Sequence, residues 1–252
     1  MVPQVQIIGI TGIPEVTEGD DLAALILSAA QAQGTTLEAG DVLVVTQKVV
    51  SKAEGAVVDL KDVTPSPLAL EFAREHNKDP RHVEVVLRES RRIVRMERGV
   101  LIAESKHGFI CANAGVDASN IPGEERVSLL PRDPDGSARR LREVIMARLG
   151  FPVAVIISDS FGRPWRLGST DVAIGIAGIS PLKDYRGVTD PYGYLLRTST
   201  AAVADEIASA AELVTGKVDL VPVSIARGFP YLPDEEATAK GLLREASLDM
   251  FR

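Results

Sequence analysis

Apolar residues along the chain follow two patterns, short β-branched runs and longer segments rich in alanine and leucine. The short runs are typical of strands, and the longer amphipathic segments are typical of helices. Their alternation predicts mixed α and β layers, an α+β fold. The predicted strands are residues 5–10, 41–46, 100–102, 153–158 and 218–225. The predicted helices are residues 21–33, 67–76, 136–149, 203–214 and 235–244.

Proline-rich turns punctuate this pattern. The stretch 64–67 reads Thr-Pro-Ser-Pro and predicts a rigid turn that leads into a helix, and the stretch 133–137 predicts the same before the next helix. The sequence contains no internal repeat, low-complexity tract or flexible linker. We therefore treat residues 1–252 as one unit, in which the more charged residues 61–98 could form a small insertion or subdomain.

Size and cysteine content favour a reducing compartment. A chain of 252 residues can bury a large core without disulfides, and its single cysteine, Cys111, excludes an intramolecular disulfide and a cysteine-rich zinc site. The N-terminus lacks the basic segment and apolar run of a signal peptide. No stretch approaches the roughly 18 consecutive apolar residues of a spanning helix. These features predict a soluble, cytoplasmic protein with no membrane partner.

Charge argues against a polyanionic partner. The formal net charge of −7 at pH 7 would repel nucleic acid and acidic membrane surfaces over long range. The exception is the basic run from Arg88 to Arg98, which carries five arginines. This run could be an exposed face with alternating charges, which is the more usual case, or a contact for a phosphorylated substrate.

The clearest candidate chemistry follows the strand predicted at residues 153–158. Its apolar run ends abruptly in Ser158, Asp159 and Ser160, followed by a glycine-containing turn. Polar groups at the end of a buried strand are fixed by the strand and can face a ligand. An aspartate there can bind a hard cation, with the adjacent hydroxyl as a second ligand. An Asx turn that ends the strand is the structural alternative.

Two further segments carry candidate ligands. Asp117 lies among small residues and asparagines, and could share one Mg²⁺ or Mn²⁺ with Asp159, although their proximity does not follow from the sequence. Lys48 and Lys52 would project to the same side of a helix and offer two charges to phosphate. Solvated surface lysines are the usual explanation for such a pair.

Several familiar motifs are missing. The glycines of residues 9–15 do not match a Walker A loop or a dinucleotide fingerprint. His76, His82 and His107 lack zinc-site spacing, and there is no G-x-S-x-G elbow. The aromatic segment at residues 185–194 could be an ordered loop over a site, a dimer contact or a surface turn.

Taken in order, seven segments of the chain resemble the F420-0 γ-glutamyl ligase family from about residue 5 to residue 245. The blocks SDSFGRPWR and VVTQKVVSKAEG are the most specific. The segments that carry the resemblance are GITGIPEVTEGDDL, GDVLVVTQKVVSKAEG, NAGVDASN, VIISDSFGRPWRLGSTDVAIGIAG, YRGVTDPYGYLL, VADEIASAAELVTGK and PVSIARGF.

The resemblance implies a GTP-dependent amide ligase of coenzyme F420 biosynthesis. Such an enzyme adds L-glutamate to the lactyl phosphate side chain of F420-0 through an acyl phosphate, and then adds a further γ-linked glutamate. The resemblance also implies an unusual α+β fold in an intertwined homodimer, a divalent metal, either Mg²⁺ or Mn²⁺, and K⁺ as a further candidate ion.

The same resemblance implies roles for individual residues. Asp117 and Asp159 match metal aspartates, and Ser160 stands where many relatives have a threonine ligand. Lys52 matches a nucleotide contact that would also supply positive charge during catalysis. The other implied nucleotide contacts are Ile13, Pro14, Glu15, Val16, Gln47 and Asn120.

Two departures from the family pattern limit these expectations. Lys217 stands where many relatives have an acidic or amide residue near a second metal, so two-metal occupancy is in doubt. A chain ending at Arg252 is also expected to lack the flavin-binding domain, and hence the reductase activity, of some fused relatives.

The residues by themselves leave three questions open. No N-K-x-D motif distinguishes GTP from ATP. The substrate could be another acid-bearing phosphorylated metabolite, used by a ligase or kinase. The chain could also be a nucleotide-binding regulator without turnover.

Overall fold

The computed structural model describes residues 2–250, and within them no helix is long and apolar enough to cross a membrane. The α-helices in chain order are α1 (Leu22–Ala32), α2 (Gln47–Ala53), α3 (Pro67–His76), α4 (Pro80–Glu89), α5 (Pro134–Leu149) and α6 (Val203–Thr215). The strands are β1 (Gln6–Ile10), β2 (Val42–Thr46), β3 (Val57–Asp59), β4 (Ser90–Glu97), β5 (Val100–Ser105), β6 (Ile110–Ala112), β7 (Arg126–Ser128), β8 (Ala154–Gly162), β9 (Ser169–Ala177), β10 (Lys183–Asp184), β11 (Thr200–Ala201) and β12 (Val223–Arg227).

A five-stranded sheet in the order β1-β12-β2-β8-β9 forms the centre of the molecule. Strands β2 and β8 run parallel, and the other neighbours in this sheet are antiparallel. Consecutive residues of β2 and of the first half of β8 are buried, because helices cover both faces of the sheet. Helix α5 packs against β8 and β9, and α6 packs against β1, β9 and β12.

A second, smaller core lies beside this sheet. Apolar residues of α3 and α4, among them Phe72 and Val86, pack with Leu101 of β5 and Val127 of β7. The three-stranded sheet β4-β5-β6 and the pair β3-β7 belong to this region. The buried residues of this core run from 60 to 127. The subdomain suggested by the sequence, residues 61–98, remains a prediction. The single unit 1–252 also remains a prediction, and its ends lie outside the described residues.

Most of the long apolar segments form the predicted elements. The strands expected at residues 5–10, 41–46, 100–102 and 153–158, and the helices expected at 21–33, 67–76, 136–149 and 203–214, are confirmed, with shifted ends. Helix α4 was not predicted, although Asp79 caps it and Pro80 opens it, as Asp133 and Pro134 do for α5.

The helix predicted at residues 235–244 is wrong. Only a 3-10 turn, Ala239–Leu242, forms there. Contacts with α5 replace helical hydrogen bonds, because Asp135 accepts the Ala239 N–H at 2.9 Å and Arg142 binds both carboxylate oxygens of Glu235. Local propensity yields to these long-range partners.

The strand predicted at residues 218–225 starts late, at Val223. Leu220 has a left-handed backbone with φ of 57°, which is incompatible with a continuous strand, and the side chains of Val218 and Leu220 are exposed. Residues 217–222 therefore form a loop that leads from α6 into β12.

The basic run at Arg88 to Arg98 lies on α4, β4 and the following turn. Its arginines pair with nearby glutamates, including Arg88 with Glu84 at 2.9 Å and Arg92 with Glu104 at 2.7 Å. The structure therefore favours the interpretation of this run as a face with alternating charges.

The strand glycine Gly175 allows close packing of α5 on β9. A Cβ atom at this position would lie 2.4 Å from the Pro134 carbonyl oxygen. We predict that Gly175→Ala lowers the free energy of unfolding by about 1–3 kcal/mol in chemical denaturation, because the added methyl group would force the backbone at Pro134 to shift. Gly162→Ala is the matched control, since no atom lies within 4 Å of its added Cβ, and it should change stability by no more than about 0.5 kcal/mol. Equal stability of the two variants would contradict this packing.

Candidate functional site

A cavity of about 850 Å³ opens where the pairing of β2 with β8 ends. Thr46 lies opposite Ser158 there, and the chain continues into α2 on one side and along the rest of β8 on the other. The residues that follow, Gln47 and Lys48 on one side and Asp159 and Ser160 on the other, line the cavity. Ligands in sheets of this kind bind beyond the carboxyl ends of parallel strands.

The structure brings together every residue to which the family resemblance assigned a role. Four different segments of the chain contribute them to one cavity, which the sequence alone did not establish. They are Ile13, Pro14, Glu15 and Val16 after β1, Gln47 and Lys52 on α2, Asp117 and Asn120 after β6, and Asp159 and Ser160 on β8.

The two lysines of α2 are paired in the cavity rather than dispersed on the surface. Lys48 Nζ lies 2.6 Å from Asp117 Oδ2 and 3.1 Å from Ser128 Oγ. Lys52 Nζ lies 2.6 Å from Glu15 Oε1, and the Lys52 side chain is largely buried. The alternative of solvated surface lysines is therefore wrong, and Lys48 lines the cavity although the family resemblance assigned a role only to Lys52.

Asp117 is surrounded by hydrogen-bond donors. Besides Lys48, the backbone N–H and the hydroxyl of Ser119 donate to its carboxylate at 2.9 and 2.6 Å. Burial opposes ionisation of this carboxyl group, but the hydrogen bonds from Lys48 and Ser119 hold its pKa below its usual range. Asp117 is therefore ionised and oriented before any ligand arrives.

Asp159, unlike Asp117, lacks side-chain hydrogen-bond donors among the described residues and has a raised pKa. No side chain within residues 2–250 donates a hydrogen bond to its carboxylate, and burial raises the pKa of Asp159 to about 7. The Ser160 backbone N–H and the charge of Lys48 lower this pKa in part, while Asp171 and Asp117 raise it. A cation beside Asp159 would stabilise the ionised carboxylate.

Asp171 on β9 is a site residue that the sequence analysis missed. It pairs across the hairpin with Ser160, is only 4% exposed, and accepts hydrogen bonds from Ser158 Oγ at 3.0 Å and Ser160 Oγ at 2.5 Å. A signal was present, because Asp171 is an acidic residue next to an apolar run that itself reads as a strand.

Lys217 extends this polar end of the cavity. Its ammonium group contacts the Ser160 hydroxyl and lies 3.0 Å from Glu212 Oε1 and 3.7 Å from Asp171 Oδ1. The Asn120 side chain donates a hydrogen bond to the Lys217 carbonyl at 3.3 Å. The residue at which the sequence departs from the family pattern thus lies within the site.

The oxygen donors of the cavity fit a divalent ion that shares its coordination with a ligand. Within residues 2–250, no three His, Cys, Asp or Glu side chains converge on one metal position. Asp117, Asp159 and Ser160 nevertheless offer hard oxygen ligands, and Asp159 lacks a side-chain partner. Mg²⁺ commonly binds through one or two carboxylates together with substrate phosphates and water.

Thiol and imidazole groups do not supply a nucleophile here. Cys111 lines the cavity, but burial and, to a smaller extent, the nearby charge of Asp159 together raise the pKa of its thiol to about 12. None of the three histidines lines the cavity as the structure describes it.

Chemical modification tests the state of Cys111. We predict that the native protein resists iodoacetamide at about pH 8, where an ordinary exposed cysteine reacts, because the thiolate is scarce and the side chain is buried. Intact-mass spectrometry measures the labelled fraction, and the urea-unfolded protein is the positive control. Rapid labelling of the folded chain would show that Cys111 is accessible and ionised.

Comparisons with known proteins agree with the geometry. The family profile described as F420-0:Gamma-glutamyl ligase matches residues 11–228. Two similar proteins, both named Coenzyme F420:L-glutamate ligase, come from Methanothermobacter thermautotrophicus, 46% identical over 98% of this chain and 99% of the relative, and from Methanopyrus kandleri, 47% identical over 94% of each. A protein of the same name from Methanocaldococcus jannaschii is 43% identical over 86% of each chain. The chain therefore belongs to the F420-0:gamma-glutamyl ligase family.

Proposed function

We propose that this chain is a GTP-dependent ligase that adds L-glutamate to F420-0 and then adds a further glutamate through a γ-linkage. The observation that carries this proposal is the meeting of Asp117, Asp159, Lys48 and Lys52 around one cavity. Family membership and the names of the relatives support the choice of substrate. The cavity volume of about 850 Å³ lies within the range of small-molecule sites, roughly 300–1,000 Å³.

A divalent ion, Mg²⁺ or Mn²⁺, would bind to Asp117, Asp159 and Ser160 together with phosphate oxygens of the nucleotide. When bound, such an ion offsets the charge that develops as a phosphoryl group moves. Asp159 is suited to this position because its buried carboxylate lacks a side-chain partner among the described residues.

The reaction requires activation of a carboxylate, because forming an amide from a free acid is unfavourable in water. In the first step, a carboxylate oxygen of F420-0 attacks the γ-phosphorus of GTP, and GDP leaves, which gives an acyl phosphate. In the second step, the amine nitrogen of glutamate attacks the acyl carbon, inorganic phosphate leaves, and the amine loses its proton to solvent. The products are the amide, GDP and phosphate.

The lysines of α2 can stabilise the triphosphate in the first step, and the phosphate groups of GDP and the acyl phosphate in the second. An ammonium group has three donors, so Lys52 can keep Glu15 as one partner and bind phosphate oxygens with the others. Lys48 is fixed by Asp117 and Ser128 in the same way. Preorganised charges of this kind act through positioning and electrostatics, which is consistent with the lack of a suitable nucleophile among the described cavity residues.

We also propose that the chain functions as a homodimer. Large apolar side chains are exposed at the tip of the β8–β9 hairpin and in the 185–197 segment, including Trp165 at 80%, Leu167 at 96% and Tyr192 at 96%. Large apolar side chains exposed in this number support an interaction surface in these two segments. A cytoplasmic location and a role for K⁺ remain predictions from the sequence.

Product analysis tests the substrate and the reaction together. We expect incubation with F420-0, L-glutamate, GTP and Mn²⁺ to raise the mass of F420-0 by whole glutamyl residues and to release GDP. Liquid chromatography with mass spectrometry detects both products, and omission of glutamate or replacement of GTP by ATP provides the controls. GDP release with another phosphorylated acid, but no mass gain on F420-0, would assign the chain to a different ligase or kinase reaction.

Replacement of one carboxylate tests the site. We predict that Asp159→Asn lowers the rate of GDP release coupled to F420-0 and glutamate on the order of 10³-fold, because several kcal/mol of transition-state stabilisation depend on a metal ligand. The variant should keep its thermal stability, since the amide has a similar size and loses no side-chain hydrogen bond.

Asp205→Asn is the matched control for this variant. Asp205 lies on α6, outside the cavity lining, and burial raises its pKa as well. Its carboxylate accepts a hydrogen bond from the Ala173 N–H at 2.9 Å. This control should retain activity. Full activity of Asp159→Asn would remove Asp159 from the reaction.

A further inference from the structure

Lys217 occupies a small cluster of oxygen atoms at one end of the cavity. Its ammonium group contacts Ser160 Oγ and lies 3.0 Å from Glu212 Oε1 and 3.7 Å from Asp171 Oδ1. These atoms come from β8, α6 and β9, so three separate elements of the fold converge on one cation. A lysine ammonium has three donors and no acceptor, and this cluster offers three acceptors.

The position of Lys217 is fixed through its backbone as well as its side chain. Gly216, which caps α6, has a φ of 58°, and a Cβ atom there would lie 2.0 Å from Asp219 Oδ2. This conformation turns the chain sharply from the helix toward the cavity. Asn120 then donates a hydrogen bond to the Lys217 carbonyl. Contacts at both ends of the residue therefore keep the ammonium beside Ser160.

The partners of this ammonium are also the ligands that divalent cations prefer. Two carboxylates and a hydroxyl are hard oxygen donors of the kind that bind Mg²⁺ and Mn²⁺. Asp171 is almost fully buried, so the cluster requires a positive charge nearby. A divalent ion placed among the same oxygens would lie against the ammonium, and like charges at that separation repel strongly.

We propose that Lys217 is a built-in cation of the cavity, which binds in the oxygen cluster of Ser160, Asp171 and Glu212 and excludes a divalent ion from it. Together with the proposed function, on which this part rests, the cavity then contains one divalent ion at Asp117 and Asp159 and one fixed ammonium at Lys217. The Ser160 hydroxyl donates to Asp171 and accepts from Lys217, so with the ammonium in place the divalent ion depends mainly on Asp117 and Asp159, a narrower ligand set than one that includes Ser160.

The number of Mn²⁺ ions bound per chain tests this proposal without any measurement of activity. Mn²⁺ is titrated into the full chain and free Mn²⁺ is measured by electron paramagnetic resonance, with and without a non-hydrolysable GTP analogue. We expect Lys217→Gln to bind one more Mn²⁺ per chain than the wild type, because the two carboxylates lose their ammonium. Lys217→Asn should give the same result if the first variant folds poorly.

Lys106→Gln is the matched control for the loss of a lysine. The Lys106 ammonium lies 2.9 Å from Glu89, and the Lys106 side chain is 56% exposed. The corresponding values for Lys217 are 3.0 Å from Glu212 and 55%. Unlike Lys217, Lys106 does not line the cavity. This control should bind as many ions as the wild type. Adding Asp171→Asn to Lys217→Gln should remove the gained ion.

The outcomes separate this inference from the proposed metal at Asp117 and Asp159. Equal Mn²⁺ counts in the wild type and in both folded Lys217 variants would overturn the inference and leave the proposed function standing. A wild type that binds no Mn²⁺ with the GTP analogue, combined with one ion in Lys217→Gln, would support the inference and count against the metal of the proposed function.

Discussion

The parallel pairing of β2 with β8 determines where the polar residues of this chain meet. With Thr46 opposite Ser158, α2 and the part of β8 that extends beyond β2 toward Asp159 start from neighbouring positions at one edge of the sheet. A shift of one residue in the pairing of β8 with β2 would move Asp159 to the other face of the sheet and separate it from Lys48. The continuous burial of the apolar residues in both strands makes such a shift costly, so the core specifies the geometry of the cavity.

Of the carboxylates described in the cavity, most have a lysine partner and one does not. Asp117 is matched by Lys48, Glu15 by Lys52, and Asp171 shares Lys217 with Glu212. Asp159 has no such partner among the described residues, and burial, with a smaller effect of Asp171 and Asp117, raises its pKa. The protein thus presents a carboxylate that an added cation would stabilise, next to lysines that an added phosphate would stabilise. A metal–nucleotide complex would supply both the cation and the phosphate.

The sequence predicted the parts of the fold that depend on local apolar patterns. The first part of β8 is visible because five apolar residues precede an abrupt Ser-Asp-Ser, and that position made Asp159 a candidate ligand beside the alternative of an Asx turn. The placement of Asp117 in the same cavity as Asp159 could not be predicted, because it depends on how β6, β2 and β8 assemble. The role of Asp171 depends on hairpin register, which places it opposite Ser160. The failed helix at residues 235–244 shows the same limit, since Asp135 and Arg142 capture its backbone and side chains from a distant helix.

The central claim is that Asp117 and Asp159 share one divalent ion with a bound nucleotide. Anomalous diffraction from crystals grown with Mn²⁺ and a non-hydrolysable GTP analogue tests this claim most directly. We predict one Mn²⁺ peak per chain, within coordination distance of both carboxylates and of a phosphate oxygen. A nucleotide bound in the cavity with no Mn²⁺ peak between these two aspartates would contradict the claim.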